Sequence, residues 1–213
     1  MRSINESRSL CYRITHIDNI PLILANGIVN KHHPDANSKY INIGNPEIID
    51  VRSETLVKIE GYGMIGDYVP FYFTPKSIML YNIITGYWHP KVLKRNRSEI
   101  VVIRCFIEKL AQLPKWFFTN GQGNDMVSKH YNDLSKIDVV DWDIIHHSDF
   151  SKNDGDYDRP RRYQAEFLVY EKVPLDAIES LNVYNQQAAD YVNNILSKTG
   201  VELAVNIVPQ YFF

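Results

Sequence analysis

Glu166 stands in the apolar run Ala165-Glu166-Phe167-Leu168-Val169, just after the basic stretch Arg159-Pro160-Arg161-Arg162. A carboxylate in such company must be paired, exposed at a strand edge, or used for chemistry, because an unpaired buried charge is costly. An exposed structural glutamate satisfies the pattern equally. In Tyr12-Arg13-Ile14-Thr15-His16, alternation puts Arg13 and Thr15 on one strand face. A cation beside a hydroxyl can hold a ribose or a phosphate, although a half-exposed strand with ordinary polar residues reads the same way. Tyr72, in the aromatic run 68–73, can stack on a nicotinamide or a base. A packed aromatic core strand accounts for most of that run as well.

One motif is rejected. Gly61-Tyr62-Gly63-Met64-Ile65-Gly66 spells a dinucleotide-binding pattern, but that pattern works only where it ends a strand and opens a helix. The following Asp67-Tyr68-Val69-Pro70-Phe71-Tyr72-Phe73 favours a strand and contains a proline. No V-A-I-K lysine strand follows, so the kinase version fails too. A flexible glycine loop is the expectation.

The elements that must position these residues follow from patterning. Strands are expected at 10–15, 68–73, 99–106, 116–118, 164–170, 180–184 and 203–208. A short helix after residue 18 has Asp18 or Asn19 as cap, Pro21 in its first turn and Gly27 at its end. Further helices are expected from Pro75 to Ile84, over 123–137, and over the amphipathic 186–198, closed by Gly200. Residues 30–55 and 148–162 read as polar loops, and a long loop in a small domain is usually functional or disordered. Strands outnumber helices without strict alternation, which predicts an α+β fold.

The 213 residues suffice for one domain, 1–213, with its own core. The net charge of −2 lends no support to nucleic-acid binding, so that role must rest on local clusters. Two exist: Lys91, Lys94, Arg95 and Arg97, and Arg159, Arg161 and Arg162. Either suits a phosphate track or a solvated surface loop; the second leads directly into the Glu166 strand. Cys11 and Cys105 read as reduced core residues, and no ligand cluster suggests a metal. Residues 1–9 lack the apolar run of a signal peptide and no stretch approaches a membrane helix, which predicts a cytoplasmic protein.

Taken together, Tyr12-Arg13-Ile14-Thr15-His16-Ile17-Asp18-Asn19, Ile41-Asn42-Ile43-Gly44-Asn45-Pro46-Glu47, Asp67-Tyr68-Val69-Pro70-Phe71-Tyr72-Phe73-Thr74-Pro75 and Tyr163-Gln164-Ala165-Glu166-Phe167-Leu168-Val169, in that order, resemble the DarT family of ADP-ribosyltransferase toxins over nearly the whole chain. The resemblance implies a compact ADP-ribosyltransferase-like fold, with a mostly antiparallel sheet split around an NAD cleft. It implies transfer of ADP-ribose from NAD to a base in single-stranded DNA, thymine first, with release of nicotinamide. Glu166 and Arg52 would be the catalytic pair. Arg13, Ile14, Thr15, His16, Asn19, Gly27, Arg52 and Tyr72 would bind NAD under a covering loop at 31–51. Lys76, Thr119, Arg159, Arg161 and Arg162 would face DNA, in a substrate region spanning about 119–164. The family partner is the antitoxin DarG, whose macrodomain removes ADP-ribose.

The chain departs from the family where a Thr-Asp-x-His segment is common: it has Thr119-Asn120-Gly121-Gln122. Lys76 stands where arginine is common. Alternatives are the same chemistry on RNA or on guanine, protein ADP-ribosylation, and a non-catalytic nucleic-acid-binding module. The presence of both Arg52 and Glu166 argues against the last.

Overall fold

The computed structural model describes residues 8–152 and 154–213. Most of the polar N-terminal stretch therefore lies outside the described residues. The elements in chain order are β1 (Leu10–His16), α1 (Ile20–Asn26), β2 (Ile28–Val29), α2 (Pro46–Glu54), β3 (Tyr68–Tyr72), α3 (Ile78–Thr85), β4 (Ile100–Phe106), α4 (Ile107–Leu110) and β5 (Trp116–Thr119). They continue with β6 (His130–Tyr131), α5 (Trp142–His146), α6 (Arg159–Tyr163), β7 (Glu166–Tyr170), β8 (Lys172–Val173), β9 (Ile178–Val183), α7 (Gln186–Thr199) and β10 (Ala204–Ile207).

Eight strands form one sheet in the order β10-β9-β4-β1-β3-β7-β5-β6. Every pairing in it is antiparallel except β9 with β10. The fold is α+β, as the patterning implies. Along β4, Val101, Ile103 and Cys105 pack on one face with Ile20, Ile23 and Leu24 of α1 and Val192 and Leu196 of α7. Ile100 and Val102 pack on the other with Leu80, Ile83 and Ile84 of α3 and with Phe212. Both sheet faces are thus covered, which is why the central strands read as nearly continuous apolar runs. Cys11 and Cys105 are free and fully buried; burial pushes the Cys105 thiol up to about 12, so it stays protonated.

The sheet is continuous but has a seam. β1 pairs with β4 over its whole length and β3 pairs with β7 over its whole length, whereas β1 and β3 meet only at Tyr12 and Tyr72. Proline explains this. From Tyr12 opposite Tyr72, the register two residues on sets Ile14 against Pro70, which has no N–H to donate. The Pro70 carbonyl instead accepts a bond from Arg13 Nη1 at 3.1 Å. The expected split around a cleft is therefore a partial one, inside a single sheet.

Several local expectations are corrected. Residues 46–54 are helical rather than loop: Asn45 caps α2 by accepting from the Glu47 N–H, and Pro46 occupies its first turn. Residues 123–137 are not a helix but a turn-rich segment containing β6 and a 3-10 stretch at Leu134–Val139. Within 148–162 the arginines open α6. The third helix starts at Ser77, whose hydroxyl accepts from the Leu80 N–H, and not at Pro75. After the glycine motif the chain makes a 3-10 turn at Ile65–Asp67 and enters β3, so no helix stands where a dinucleotide fold needs one.

Candidate active site

β3 and β7 place Tyr72 directly opposite Glu166. Glu166 is 2% exposed. The last turn of α2 brings Arg52 over it, with Nη1 at 3.0 Å from Oε1 and 2.9 Å from Oε2. Only the approach to Oε1 has hydrogen-bond geometry, and Oε2 remains without a hydrogen-bond partner among the described residues. A cation in the last turn of α2 also suits the helix dipole. Burial opposes the Arg52 charge, but the neighbouring carboxylate outweighs it, and the guanidinium titrates above its ordinary range. It cannot serve as a proton acceptor. Burial, then the Glu166 charge, also hold the Tyr72 phenol protonated above its usual range, with Arg52 and Arg13 acting in the opposite sense. Arg13, Arg52, Tyr72 and Glu166 thus share one electrostatic neighbourhood at the seam.

The third contact to Glu166 comes from a loop. The Gly123 N–H donates to Oε1 at 2.9 Å. A Cβ on Gly123 would sit 3.2 Å from that oxygen, so glycine permits the close backbone approach. His130 holds the loop: Nδ1 accepts the Lys58 N–H at 3.0 Å, and Nε2 faces the Gly123 carbonyl at 3.0 Å. An acceptor at Nδ1 and a carbonyl at Nε2 require the neutral tautomer with its proton on Nε2. Burial agrees, pushing the imidazole pKa down despite the hydrogen bond to Gly123. Lys58 Nζ donates to the carbonyls of Asp125, Met126 and Ser128 at 3.1, 2.7 and 2.7 Å. Sequence patterning does not reach Gly123, His130 and Lys58, since each acts through backbone groups far away in the chain. The Gly121-Gln122-Gly123 repeat is the one available signal.

Thr119 is fully buried. Its hydroxyl accepts the Glu166 N–H at 3.0 Å and donates to the Gly121 carbonyl at 2.6 Å. This corrects its expected place at the DNA surface: it ties β5 to β7 underneath the site.

The residues expected to bind NAD divide in two. Arg13 keeps a buried Nε and Arg52 a buried Nη2 without a partner, while the Tyr72 hydroxyl meets only Met79 Sδ at 3.9 Å. The others are committed internally. Ile14 is a core side chain beside Leu80 and Ile83. Thr15 Oγ1 bonds the Tyr40 hydroxyl at 3.0 Å and accepts from Asn19 Nδ2 at 3.1 Å. Asn19 also grips Ile41, Nδ2 donating to its carbonyl and Oδ1 accepting its N–H, both at 2.8 Å. His16 caps the following 3-10 turn by accepting the Asp18 N–H. Gly27 has φ +75, and a Cβ there would collide with the Val173 backbone, so the fold alone requires glycine. Thr15 and Asn19 therefore pin the 40–41 stretch of the covering segment.

The basic cluster before β7 is fully matched by carboxylates. Arg159 pairs with Asp149 and Asp156, Arg161 with Asp158, and Arg162 with Asp141 and Asp156. Asp156 is held down at about 2, first by its hydrogen bond to Arg162. An open phosphate track here is not what the chain builds. The Lys76 carbonyl accepts the Tyr163 hydroxyl at 2.7 Å, and the Lys76 Nζ stands 5.8 Å from the centre of the Phe213 ring.

Two structural facts bear on cofactors and location. Among the described residues no His, Cys, Asp and Glu group is arranged to hold a metal, and no helix is long and apolar enough to cross a membrane. Of the buried side-chain atoms without partners among the described residues, Arg13 Nε and Arg52 Nη2 are donors for a phosphate or carbonyl, and Glu166 Oε2 and Asn124 Oδ1 are acceptors for a hydroxyl. They fit NAD, whose ribose and pyrophosphate present those complements.

Comparison with known proteins agrees with this chemistry. Residues 12–213 match the family model described as ssDNA thymidine ADP-ribosyltransferase, DarT. A DNA ADP-ribosyl transferase from Escherichia coli is 32% identical over 99% of this chain and 96% of its own length. The solved structure of Thermus sp. 2.9 DarT in complex with ADP-ribosylated ssDNA superimposes with a TM-score of 0.87 at 27% identity, covering all of both chains. The same protein in complex with NAD+ gives 0.82 at 27% identity, over 99% of this chain and 100% of that one. A Thermosipho africanus fusion of a DNA ADP-ribosyl transferase with a DNA ADP-ribosyl glycohydrolase is 25% identical over 95% of this chain and 49% of its own length. With its seam, its buried Arg–Glu pair and these relatives, the chain belongs to the DarT family of DNA ADP-ribosyltransferases.

Proposed function

We propose that this chain transfers ADP-ribose from NAD to a thymine base in single-stranded DNA, with residues 1–213 acting as one catalytic domain. The observation that carries the reading is the buried Arg52–Glu166 pair at the seam with partnerless atoms on both members. NAD supplies the ADP-ribosyl group: at C1 of its ribose the bond to nicotinamide breaks, a bond to a base nitrogen forms, and the base loses a proton to solvent. That exchange develops positive charge on the sugar, as in glycosyl transfer. Glu166, anchored by Arg52 and the Gly123 amide, offers Oε2 to a ribose hydroxyl and its charge to the developing cation. Arg52 offers Nη2 to a phosphate or to the deprotonated base; its high pKa excludes proton abstraction. Arg13 offers Nε on the other side of the seam.

The same reading makes the chain a cytoplasmic toxin, neutralised by a DarG-type partner that removes ADP-ribose. The fused glycohydrolase of the Thermosipho relative supports that pairing.

The test is intact mass of oligonucleotides after incubation with protein and NAD, offering single-stranded DNA, duplex DNA and RNA, each lacking one base in turn. An ADP-ribose adduct on thymine-containing single strands, absent with Glu166→Ala, is the expected result. An adduct on RNA alone or on strands without thymine overturns the substrate assignment.

A further inference from the structure

The other basic cluster is built differently. Between the left-handed Gly86 that ends α3 and the 3-10 turn at Arg97–Glu99, the loop reads Tyr87-Trp88-His89-Pro90-Lys91-Val92-Leu93-Lys94-Arg95-Asn96. It carries cations and no acidic residue. Tyr87 is 73% exposed and Trp88 43%, so two large rings stand in solvent beside the lysines. Lys94 has no ion pair among the described residues, and Lys91 pairs only with the exposed Glu47. Exposed pairs of that kind contribute little and yield readily to a competing anion.

The position is as informative as the composition. Glu47 and Arg52 lie on the same helix, five residues or about 7.5 Å of rise apart, so α2 joins the loop to the Glu166 pair. A second connection is aromatic. Tyr87 lies 6.4 Å from Tyr81 between ring centres, Tyr81 lies 5.5 Å from Phe150, and Phe150 lies 5.2 Å from Tyr163 at the entrance to β7.

We propose that the 87–95 loop is a second contact surface for single-stranded nucleic acid, with bases stacking on Tyr87 and Trp88 and phosphates meeting Lys91 and Lys94. Rings next to cations, with carboxylates only from Glu47 on Lys91 and Glu99 on Arg95 and none within the loop, match a strand that alternates flat bases with negative charge. The surface holds nucleotides flanking the one at the reacting centre, so short substrates bind without its help. The inference rests on the proposed activity for its biological sense, but it concerns binding, which is measured without NAD.

The experiment is fluorescence anisotropy with labelled single-stranded DNA of about 6 and about 20 nucleotides, bracketing common site sizes. For the parent protein the longer strand binds more tightly. In a Tyr87→Ala/Trp88→Ala variant that advantage falls by about tenfold or more, given the usual cost of losing a stacked base. In Lys91→Ala/Lys94→Ala the dependence of log affinity on log salt flattens by about 0.7 for each phosphate that is no longer neutralised. Because the alanine pair can disturb the loop, the parent's Trp88 supplies a second readout: its fluorescence responds to the long strand, and that response disappears in Trp88→Phe. Unchanged long-strand affinity in both double variants, or no binding advantage of length in the parent, overturns the proposal. A parent that binds long strands through this loop but forms no adduct would overturn the proposed activity and leave the surface standing.

Discussion

The two sides of the β1–β3 seam are built from similar polar residues used in opposite ways. On the β1 side, Thr15 and Asn19 are fully buried, and their side chains are engaged with each other, Tyr40 and Ile41. On the β3–β7 side, Arg52 and Glu166 are also deeply set, yet they retain Nη2 and Oε2 without partners. A buried polar group without a partner is expensive. Chains therefore tolerate such groups chiefly where a ligand completes them. Arg13 Nε, although on β1, belongs with the unsatisfied atoms; the satisfied Thr15–Asn19 side is architecture that holds a covering segment, and the unsatisfied side is where chemistry is expected.

Substitutions can break this contrast, and the largest effect should fall on the unsatisfied side. Glu166→Gln keeps shape and removes charge, and should lower the rate of ADP-ribose transfer by about a thousandfold. Mass spectrometry of the modified strand reads it, and a variant within tenfold of the parent would remove Glu166 from the reacting centre. Arg52→Lys keeps the charge but loses the planar fork, and should cost about a hundredfold in the same assay. Full activity in that variant would mean that a point charge suffices.

His130→Ala sharpens the contrast, because it releases Gly123 without touching Glu166. A decrease of about tenfold in kcat with little change in KM for NAD is expected if the amide only positions the carboxylate. The histidine also sets a pH dependence. Its folded pKa lies below the unperturbed 6.5, so between those values the unfolded chain binds the proton and the folded chain does not. Stability from this group is complete above about 6.5 and falls as pH drops through the folded value. Thermal melts of the parent should fall more steeply below pH 6.5 than those of His130→Ala.

On the satisfied side, Asn19→Ala should cost about 1–3 kcal/mol, because it strands the backbone groups of Ile41. It should raise KM for NAD more than it lowers kcat, as expected of a residue that holds the covering segment. The smallest effect belongs to Arg162→Ala. With its guanidinium already engaged by Asp141 and Asp156, DNA affinity should change less than about threefold, within the usual range for such surface pairs. A tenfold decrease would show that DNA displaces these aspartates.

Period-2 and period-3.6 patterning places most strands and α7 close to where they lie, because those elements bury one or both faces and the apolar residues must recur accordingly. α2 escapes such patterning since none of its apolar residues is buried and no apolar stripe marks it. The 123–137 segment reads as a helix but folds otherwise, because Lys58 ties it by hydrogen bonds from elsewhere in the chain and His130 bonds back to Gly123, which no helical pattern encodes. The two basic clusters already differ as strings of letters, since Asp154, Asp156 and Asp158 precede the arginines of one while 87–96 holds no acidic residue. Folding adds Asp141 and Asp149 from farther along the chain to the arginines and leaves Tyr87 and Trp88 in solvent near Lys94.

What the sequence determined by itself was the fold class and the approximate positions of most strands, through hydrophobic spacing. It also set the position of the seam, because Pro70 has no N–H to donate toward β1. Tertiary structure alone decided which polar residues keep free valences. Partners separated by 114 positions, as Arg52 and Glu166 are, meet only when the chain is folded, and a hydrogen bond depends on distance and direction, not on residue type.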